Sequence, residues 1–391
     1  MSSSGSTSDD QVGLGKIWLH RPFNITPAST DALPNPSISH CRLPTKNPKP
    51  ASENRWHTLY HQSPASALEH NLLSKQEFFK AQFSSRVTEE DAAKRIQKRR
   101  LQQSCSKTVD VTIYLPTSAV ASNDDDTSES NEKHLQGICL HVHGGGWIFG
   151  DSRCQVGHRC LEMSDALNAA VVSVEYSLTT SNIDDGKIFD PVSEVVSAID
   201  WIETAGADEL NAKPIFVASG ESSGAHLLLL SMLKCRDRPQ RISSWKCLNL
   251  VYGFFDLSGT PSVRTDGNES SPISGDELLF MADMYCSKLK GGSNTDDQSA
   301  NLDRQDPSIS PLYANLSDLP PALFTVGSAD PLLDDSLFLT SRYCVGGNNY
   351  AELVIYEGGE HGIGHFGSQE DEEMGKRARQ YTYEFMKHYL I

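Results

Sequence analysis

The chain has 391 residues, 38% of them hydrophobic, with 34 basic and 51 acidic side chains and a formal net charge of −17. This length and apolar content suffice to bury a substantial core, so we expect one main domain with appendages rather than several independent domains. The acidic balance argues against an extended nucleic-acid surface or an anionic membrane as a partner.

The nine cysteines are an odd number and form no C-x-x-C pair, so neither a zinc ribbon nor a regular disulfide framework is indicated. Cys139 and Cys247 fall inside apolar runs, where a free cysteine packs as a small hydrophobic residue. The first ten residues lack the blocks of a signal peptide, and the longest apolar run, around Leu227 to Leu230, is too short to span a bilayer. We therefore expect a cytoplasmic location and no transmembrane segment.

The amino-terminal region divides into two parts. Residues 1–65 are rich in serine, proline and asparagine, which predicts a loosely ordered arm. Residues 66–104 predict helices, and the basic stretch Lys94–Arg100 falls within them. A solvated helix face explains this stretch better than a calmodulin or nucleic-acid site does.

A first strand is predicted for Thr108–Leu115, where apolar and polar residues alternate. The following residues 122–132 are almost all polar or acidic and predict a disordered loop. A second apolar strand follows at Gly137–Val142.

Three consecutive glycines follow that strand, in His143-Gly144-Gly145-Gly146-Trp147. When a nucleophile attacks a carbonyl group, backbone N–H groups stabilise the oxyanion only if no side chain stands in between. The sequence therefore predicts an oxyanion hole, with a merely flexible glycine loop as the alternative. His141 and His143 share one strand face, but no third ligand at a recognisable spacing supports a metal, so we expect none. We expect His143 to brace the loop through a hydrogen bond.

The sequence Gly220-Glu221-Ser222-Ser223-Gly224 lies between an apolar strand, Pro214–Ser219, and an apolar helix, His226–Leu233. In this setting G-x-S-x-G predicts a sharp turn that presents Ser222 as a nucleophile. Small residues are needed two positions either side of the serine because the turn is tight. Taken alone, the motif could equally be a turn without chemistry, and the glycine loop upstream favours catalysis.

A serine nucleophile needs a base, and the base needs an orienting acid. The predicted strand Ala322–Gly327 is followed by Asp330, and the predicted strand Glu352–Tyr356 by His361. Serine, aspartate and histidine occur in this order in the α/β-hydrolases, with each group at the carboxyl end of a parallel strand. We predict His361 as the general base and Asp330 as its partner.

Three neighbouring residues are weaker alternatives. Asp334 and Asp335 lie further from the strand end than Asp330, and Asp334 falls where a helix is predicted to begin. His365, four residues after His361, is the competing base.

Alternating strands and helices in the rest of the chain predict a mostly parallel sheet covered on both faces. Two apolar stripes at helical spacing support this pattern: Val192, Val195, Val196, Ile199 and Ile202, and Met374, Ala378, Tyr381, Phe385 and Tyr389. The pattern breaks in a polar, glycine-rich segment at about 256–306, which contains one predicted helix, Gly275–Leu289.

With these motifs in view, the chain from about residue 108 onward resembles the hormone-sensitive-lipase-like branch of the α/β-hydrolases, which contains many carboxylesterases. The resemblance rests on the glycine loop, the serine motif, Asp330-Pro331-Leu332-Leu333-Asp334 and His361-Gly362. It implies an α/β-hydrolase domain over 105–391 with a helical cap, formed by residues 66–104 and the insertion at about 256–306. It also implies a catalytic triad and oxyanion donors from the backbone of Gly145, Gly146 and Ser223, and Trp147 is expected to contact substrate.

The chain departs from that family in three places. Glu221-Ser222-Ser223 stands where the family usually has Asp-Ser-Ala, and Ser177-Leu178-Thr179-Thr180 where it usually has Arg-Leu-Ala-Pro. The missing arginine implies the loss of a structural ion pair. The third departure is the enlarged amino-terminal region, which leaves substrate choice open.

The resulting hypothesis is a cofactor-independent serine hydrolase that cleaves small carboxylic esters through an acyl-enzyme. An amidase, deacetylase or arylformamidase would use the same triad, so the residues leave ester and amide substrates open. A non-catalytic small-ligand receptor on the same fold is a further alternative, although receptors that this branch resembles have lost the histidine that is present here as His361.

Overall fold

The computed structural model describes residues 16–20, 87–102, 108–120, 135–153, 156–181, 189–236, 244–265, 272–289, 302–364 and 369–390. The expected arm over 1–65 lies outside the described residues except for 16–20, as do residues 66–86 of the expected cap and the predicted acidic loop 122–132.

The described residues contain nine strands and ten α-helices. The strands are β1 Lys16–His20, β2 Ile96–Gln102, β3 Thr108–Tyr114, β4 Ile138–Val142, β5 Ala170–Glu175, β6 Phe216–Glu221, β7 Trp245–Val251, β8 Ala322–Gly327 and β9 Ala351–Tyr356. The helices are α1 Glu89–Arg95, α2 Thr117–Val120, α3 Gly157–Leu167, α4 Pro191–Trp201, α5 Ala207–Glu209, α6 Ser223–Arg236, α7 Pro261–Arg264, α8 Gly275–Leu289, α9 Leu333–Ser341 and α10 Gln369–His388.

All nine strands form one sheet in the order β1-β9-β8-β7-β6-β4-β5-β3-β2. Along this spatial order, every neighbouring pair from β1 as far as β5 is parallel. Strand β3 lies antiparallel to both of its neighbours, β5 and β2. The expected α/β architecture with a mostly parallel sheet is therefore confirmed. Parallel neighbours need crossover connections, which explains why helices separate the later strands.

Helices cover both faces of the sheet, so its central strands are buried and mostly apolar. Every residue of β4, β6 and β8 is buried. One apolar cluster contains Leu140 of β4 together with Leu227 of α6. A second cluster contains the neighbouring Cys139, Leu161 of α3 and Phe385 of α10. Successive strand residues point to opposite faces, so the two clusters mark the two sides of the sheet.

The helical prediction for 66–104 is wrong over Ile96–Gln102, which form the edge strand β2. Cross-strand partners explain this conformation: Arg100 stands opposite Asp110 of β3 and forms a salt bridge with it. Arg99 in turn lies over the ring of Trp201, 4.9 Å from its centroid. The basic stretch therefore makes intramolecular contacts from a strand, and the expectation of a solvated helix face holds only for Lys94, since Arg95 is largely buried and pairs with Asp91 and Asp165.

Two further expectations concern cysteines and membranes. Cys139 and Cys247 are both buried and free, and burial raises the pKa of each thiol. Of the helices in the described ranges, none is long and apolar enough to cross a bilayer.

Candidate active site

Ser222 occupies a strained turn between β6 and α6. Its φ of 54° is unusual for a residue with a side chain, and its N–H donates to Val251 O at 2.9 Å. Small residues flank it for a steric reason. A Cβ at Gly224 would overlap the carbonyl oxygens of Val142 and His143, and one at Gly220 would lie 2.7 Å from Gly224 O. The predicted strand–turn–helix is thus present.

Two further residues complete a hydrogen-bonded chain with this serine. Ser222 Oγ lies 3.0 Å from His361 Nε2. His361 Nδ1 lies 3.0 and 3.1 Å from the two carboxylate oxygens of Asp330. All three side chains are buried, with Ser222 7% exposed and His361 4% exposed. The structure therefore brings the three predicted residues together, each just after the end of a parallel strand.

The Asp330 carboxylate is fixed from its own loop as well. Its Oδ1 accepts the N–H of Leu332 at 2.8 Å. A carboxylate facing Nδ1 holds a proton there, which leaves Nε2 free to accept one from the serine.

The alternative carboxylates are occupied elsewhere. Asp334 lies in the first turn of α9, as predicted, and accepts the N–H of Ser262 at 2.8 Å. Asp335 accepts the N–H groups of Phe255 and Asp256 at 2.6 and 2.8 Å. His365 lies outside the described residues.

The glycine loop after β4 lies against the serine. A Cβ at Gly144 would stand 3.2 Å from Ser222 Cβ. Gly145 and Gly146 have φ values of 116° and 61°, which side chains rarely adopt. Within the described part of the chain, the N–H groups of Gly145 and Gly146 have no assigned acceptor. Ser223 is the first residue of α6, where N–H groups lack intrahelical acceptors.

His143 and Tyr176 brace this loop. His143 Nδ1 donates to Gly144 O at 2.8 Å, and its ring stacks on Tyr176 with centroids 4.2 Å apart. The Tyr176 hydroxyl donates to His143 O at 2.9 Å. Burial lowers the pKa of both His143 and His141, the latter to about 4, so neutral imidazoles are favoured. His141 has its own contact, 3.3 Å from Ser173 Oγ.

Trp147, which is expected to contact substrate, makes extensive contacts within the protein. The residue is wholly buried, and its ring packs against Tyr285 of α8 with centroids 4.7 Å apart and against His226 at 5.0 Å. The position makes it packing support for the glycine loop, and direct contact with a substrate stays a prediction.

Helix α8 confirms the predicted helix in the insertion and lies against the same loop. Its Met281 is buried, and the sulfur stands where a Cβ of Gly146 would be. The insertion thus touches the predicted oxyanion loop, while the contribution of residues 66–86 to a cap stays a prediction.

In residues 177–180, which lack the arginine usual in the family, hydroxyl and backbone hydrogen bonds hold the chain to its neighbours. Ser177 donates both its N–H and its hydroxyl to Glu194, each at 2.6 Å. Further along, the N–H of Thr179 donates to Trp147 O at 2.7 Å, which ties this segment to the glycine loop.

Sequence reasoning missed two residues next to the site, Tyr252 and Arg159. Tyr252 follows β7, and its ring lies 4.8 Å from the imidazole of His361. Arg159 of α3 donates to Glu221 Oε2 at 3.0 Å. The position of Tyr252 after a strand that neighbours β6 was a usable signal. Arg159 gave none, because it is 62 residues away from Glu221 along the chain.

Comparison with known proteins agrees with this geometry. A family model described as the α/β-hydrolase fold matches residues 139–365, which is more than half of the chain. The chain belongs to the α/β-hydrolase fold family. The match covers the glycine loop, the serine turn, Asp330 and His361, and the resemblance to the hormone-sensitive-lipase-like branch is confirmed.

Relatives of this α/β-hydrolase include an esterase of Acinetobacter venetianus, 30% identical over 51% of this chain and 58% of the relative. An acetyl esterase of Salmonella schwarzengrund is 28% identical over 52% of this chain and 58% of the length of that esterase. The chain thus spans less than two thirds of the length of these relatives. Among solved structures, the thermophilic carboxylesterase EstE1 from a metagenomic library superposes with a TM-score of 0.65 at 22% identity, over 84% of this chain and 99% of that one. This last likeness supports the fold.

Proposed function

We propose that this α/β-hydrolase cleaves carboxylic esters of small molecules, with Ser222 as nucleophile, His361 as general base and Asp330 as the residue that orients the imidazole. The observation that carries the proposal is the continuous hydrogen-bonded chain from Ser222 Oγ to His361 Nε2, and from Nδ1 to both Asp330 oxygens.

In the proposed reaction, His361 Nε2 takes the proton of Ser222 as Oγ attacks the carbonyl carbon. The oxygen of that carbonyl becomes negative and accepts hydrogen bonds from the N–H groups of Gly145, Gly146 and Ser223. The imidazolium then gives its proton to the leaving alkoxide, and an ester of Ser222 remains. Water, deprotonated in turn by His361, attacks this ester, and the imidazolium returns its proton to Ser222 Oγ as the acid is released. None of these steps needs a metal or an organic cofactor.

The buried setting supports this chemistry because charges interact more strongly where water is excluded. Asp330 and His361 are both nearly inaccessible, so the imidazolium that forms is stabilised by a carboxylate with little competing solvent. Removing one oxyanion donor typically costs about 3–4 kcal/mol of transition-state stabilisation, which accounts for a loop given over to glycine.

The substrate class follows from the relatives. Those named esterase and acetyl esterase favour an ester with a short acyl group, and Met281 at the glycine loop is consistent with limited space beside it. Amides use the same machinery, and the test below separates the two. A non-catalytic receptor would not need a histidine bonded to the serine, so the geometry favours an enzyme.

The test compares p-nitrophenyl esters from acetate to decanoate with a p-nitroanilide of the preferred acyl group. We expect turnover that is fastest for short acyl groups, slow for the anilide, and abolished in Ser222→Ala. A fluorophosphonate should label the parent and Ser223→Ala, and should not label Ser222→Ala. Labelling that survives in Ser222→Ala and disappears in Ser223→Ala would show that Ser223, not Ser222, is the nucleophile. An anilide that is cleaved faster than any ester would show that the protein is an amidase.

A further inference from the structure

The proposed triad leaves one neighbour of the imidazole unexplained. Tyr252 is buried, and the planes of its ring and the His361 ring meet at 61° with centroids 4.8 Å apart. This is an edge-to-face geometry, in which the rings restrict each other's rotation. His361 is therefore held at Nδ1 by Asp330 and packed by Tyr252.

Tyr252 is itself fixed at both ends. Its backbone, at φ 35°, donates its N–H to Thr325 O of β8. Its hydroxyl donates to Glu221 Oε2 at 3.0 Å. Burial and the Glu221 carboxylate both raise the pKa of Tyr252 far above its usual range, so the hydroxyl stays protonated and remains a donor.

Glu221 connects this tyrosine to the nucleophile. It directly precedes Ser222, and the same Oε2 that accepts from Tyr252 also accepts from Arg159 Nη1 at 3.0 Å. Both members of the ion pair are largely buried. Burial lowers the pKa of Arg159, but the Glu221 carboxylate together with Tyr252 and Tyr383 raises it by more, so the guanidinium stays charged. A buried, paired carboxylate with two donors is rigid, since moving it would leave charges unpaired.

We propose that Tyr252 is a positioning residue for His361, and that Glu221 and Arg159 fix it in place. The inference rests on the proposed serine hydrolase function. In this arrangement one residue, Glu221, is bonded to both sides of the site. It precedes Ser222 in the chain, and its carboxylate accepts the hydroxyl of Tyr252, whose ring packs on His361. The distance between Ser222 Oγ and His361 Nε2 is thereby constrained from both partners rather than from the Asp330 side alone.

The test replaces Tyr252 by phenylalanine, which keeps the ring and removes only the hydroxyl. We expect kcat to fall about tenfold with KM little changed, which corresponds to the loss of one hydrogen bond felt in the transition state. The acidic limb of the kcat/KM profile should also move upward by roughly half a pH unit, because Glu221 then has one neutral donor fewer and its charge favours the imidazolium more.

Tyr343→Phe is the matched control. Its hydroxyl is also buried and donates to a carbonyl oxygen, that of Pro320, and its ring packs on Phe324. Removing a hydroxyl with a purely structural role should lower the melting temperature and nothing else. Tyr343→Phe should therefore keep the parent's kcat and pH profile. Tyr252→Leu, which removes the ring too, should lower kcat further than Tyr252→Phe does.

The outcomes separate this inference from the proposed function. A parent protein without ester turnover and without fluorophosphonate labelling overturns the proposed function. An active parent whose Tyr252→Phe variant keeps its kcat and pH profile overturns the positioning role only. So does an equal loss of kcat in Tyr252→Phe and Tyr343→Phe without a pH shift, because it indicates a general structural effect.

Discussion

Met281 of α8 packs directly against Gly146, with its sulfur at the place that a side chain of Gly146 would need. The contact joins the insertion to the glycine loop. Gly146 also has a φ of 61°, so an alanine there meets both backbone strain and steric overlap. The two costs can be separated because only the second depends on Met281.

We expect Gly146→Ala to lower kcat/KM by about 100-fold, since displacement of the loop removes at least one oxyanion donor from its place. The double variant Gly146→Ala with Met281→Ala should recover part of the melting temperature, because the overlap is relieved while the strain remains. Kinetics and thermal unfolding of the three variants provide the cycle. If the changes in melting temperature of the two single variants simply add up in the double variant, Met281 is not what disfavours a side chain at position 146.

The two aspartates that follow β8, Asp330 in the loop and Asp334 in the first turn of α9, offer a second comparison. Asp330→Asn should lower kcat by about 10⁴-fold, because an amide no longer holds the proton on His361 Nδ1. Asp334→Asn should change kcat little, since Asp334 contacts the N–H of Ser262 and an amide oxygen can still accept it. Steady-state kinetics on one ester measures both, and a larger loss in Asp334→Asn would contradict the assignment.

Asp335 gives a prediction about stability and pH. Burial raises its pKa to about 8, although Phe255, Asp256 and Thr260 all donate to its oxygens. The folded state then binds a proton that the unfolded state releases above its ordinary pKa. The contribution of Asp335 to the free energy of unfolding is therefore greatest below about pH 4 and is lost as pH rises towards 8.

Asp335→Asn removes this titration while keeping an oxygen acceptor for the two N–H groups and adding a donor for Thr260 Oγ1. The difference in free energy of unfolding between the variant and the parent should shift in favour of asparagine as pH rises from 5 to 8.5. Urea unfolding at several pH values measures it. Parallel curves for the two proteins would mean that Asp335 does not titrate in this window.

How far the sequence predicts this molecule depends on the range of the interactions involved. Ala322–Gly327 and Gly275–Leu289 form elements with the predicted bounds, and Ser222, Asp330 and His361 are brought together as expected. Local patterns determine these features: an apolar run ending in a turn, and a chemically restricted residue at a strand end.

The parts that were missed depend on distant partners. Ile96–Gln102 are charged enough to suit an exposed helix, and they form a strand because β3 offers seven opposing residues, including Asp110 for Arg100. Likewise, only the folded chain brings Arg159 to Glu221 and Met281 to Gly146. Such pairings leave no periodic signal in either segment.

The strand at Ile96–Gln102 also changes how the amino-terminal cap can be tested. Deleting residues 1–104 removes β1 and β2 from the sheet, including the partner of β3 and the ion pair from Arg95 to Asp165. We expect that variant to unfold at much lower temperature or to aggregate, because the long edge of β3 is left unpaired. Deleting only residues 1–86 also removes β1 from the edge of β9, but it keeps β2 and its pairing with β3, so it should retain the fold with a smaller loss of melting temperature. If residues 66–86 help to cover Ser222, this shorter truncation should alter acyl-chain preference and lower kcat/KM. Deleting the acidic loop 122–133 is the control, and it should leave both acyl-chain preference and kcat/KM unchanged.

Thermal unfolding and the ester series are measured on all three variants. A folded 1–86 truncation with the parent's preference for every ester would refute the cap. A stable 1–104 truncation would refute the role assigned to β2.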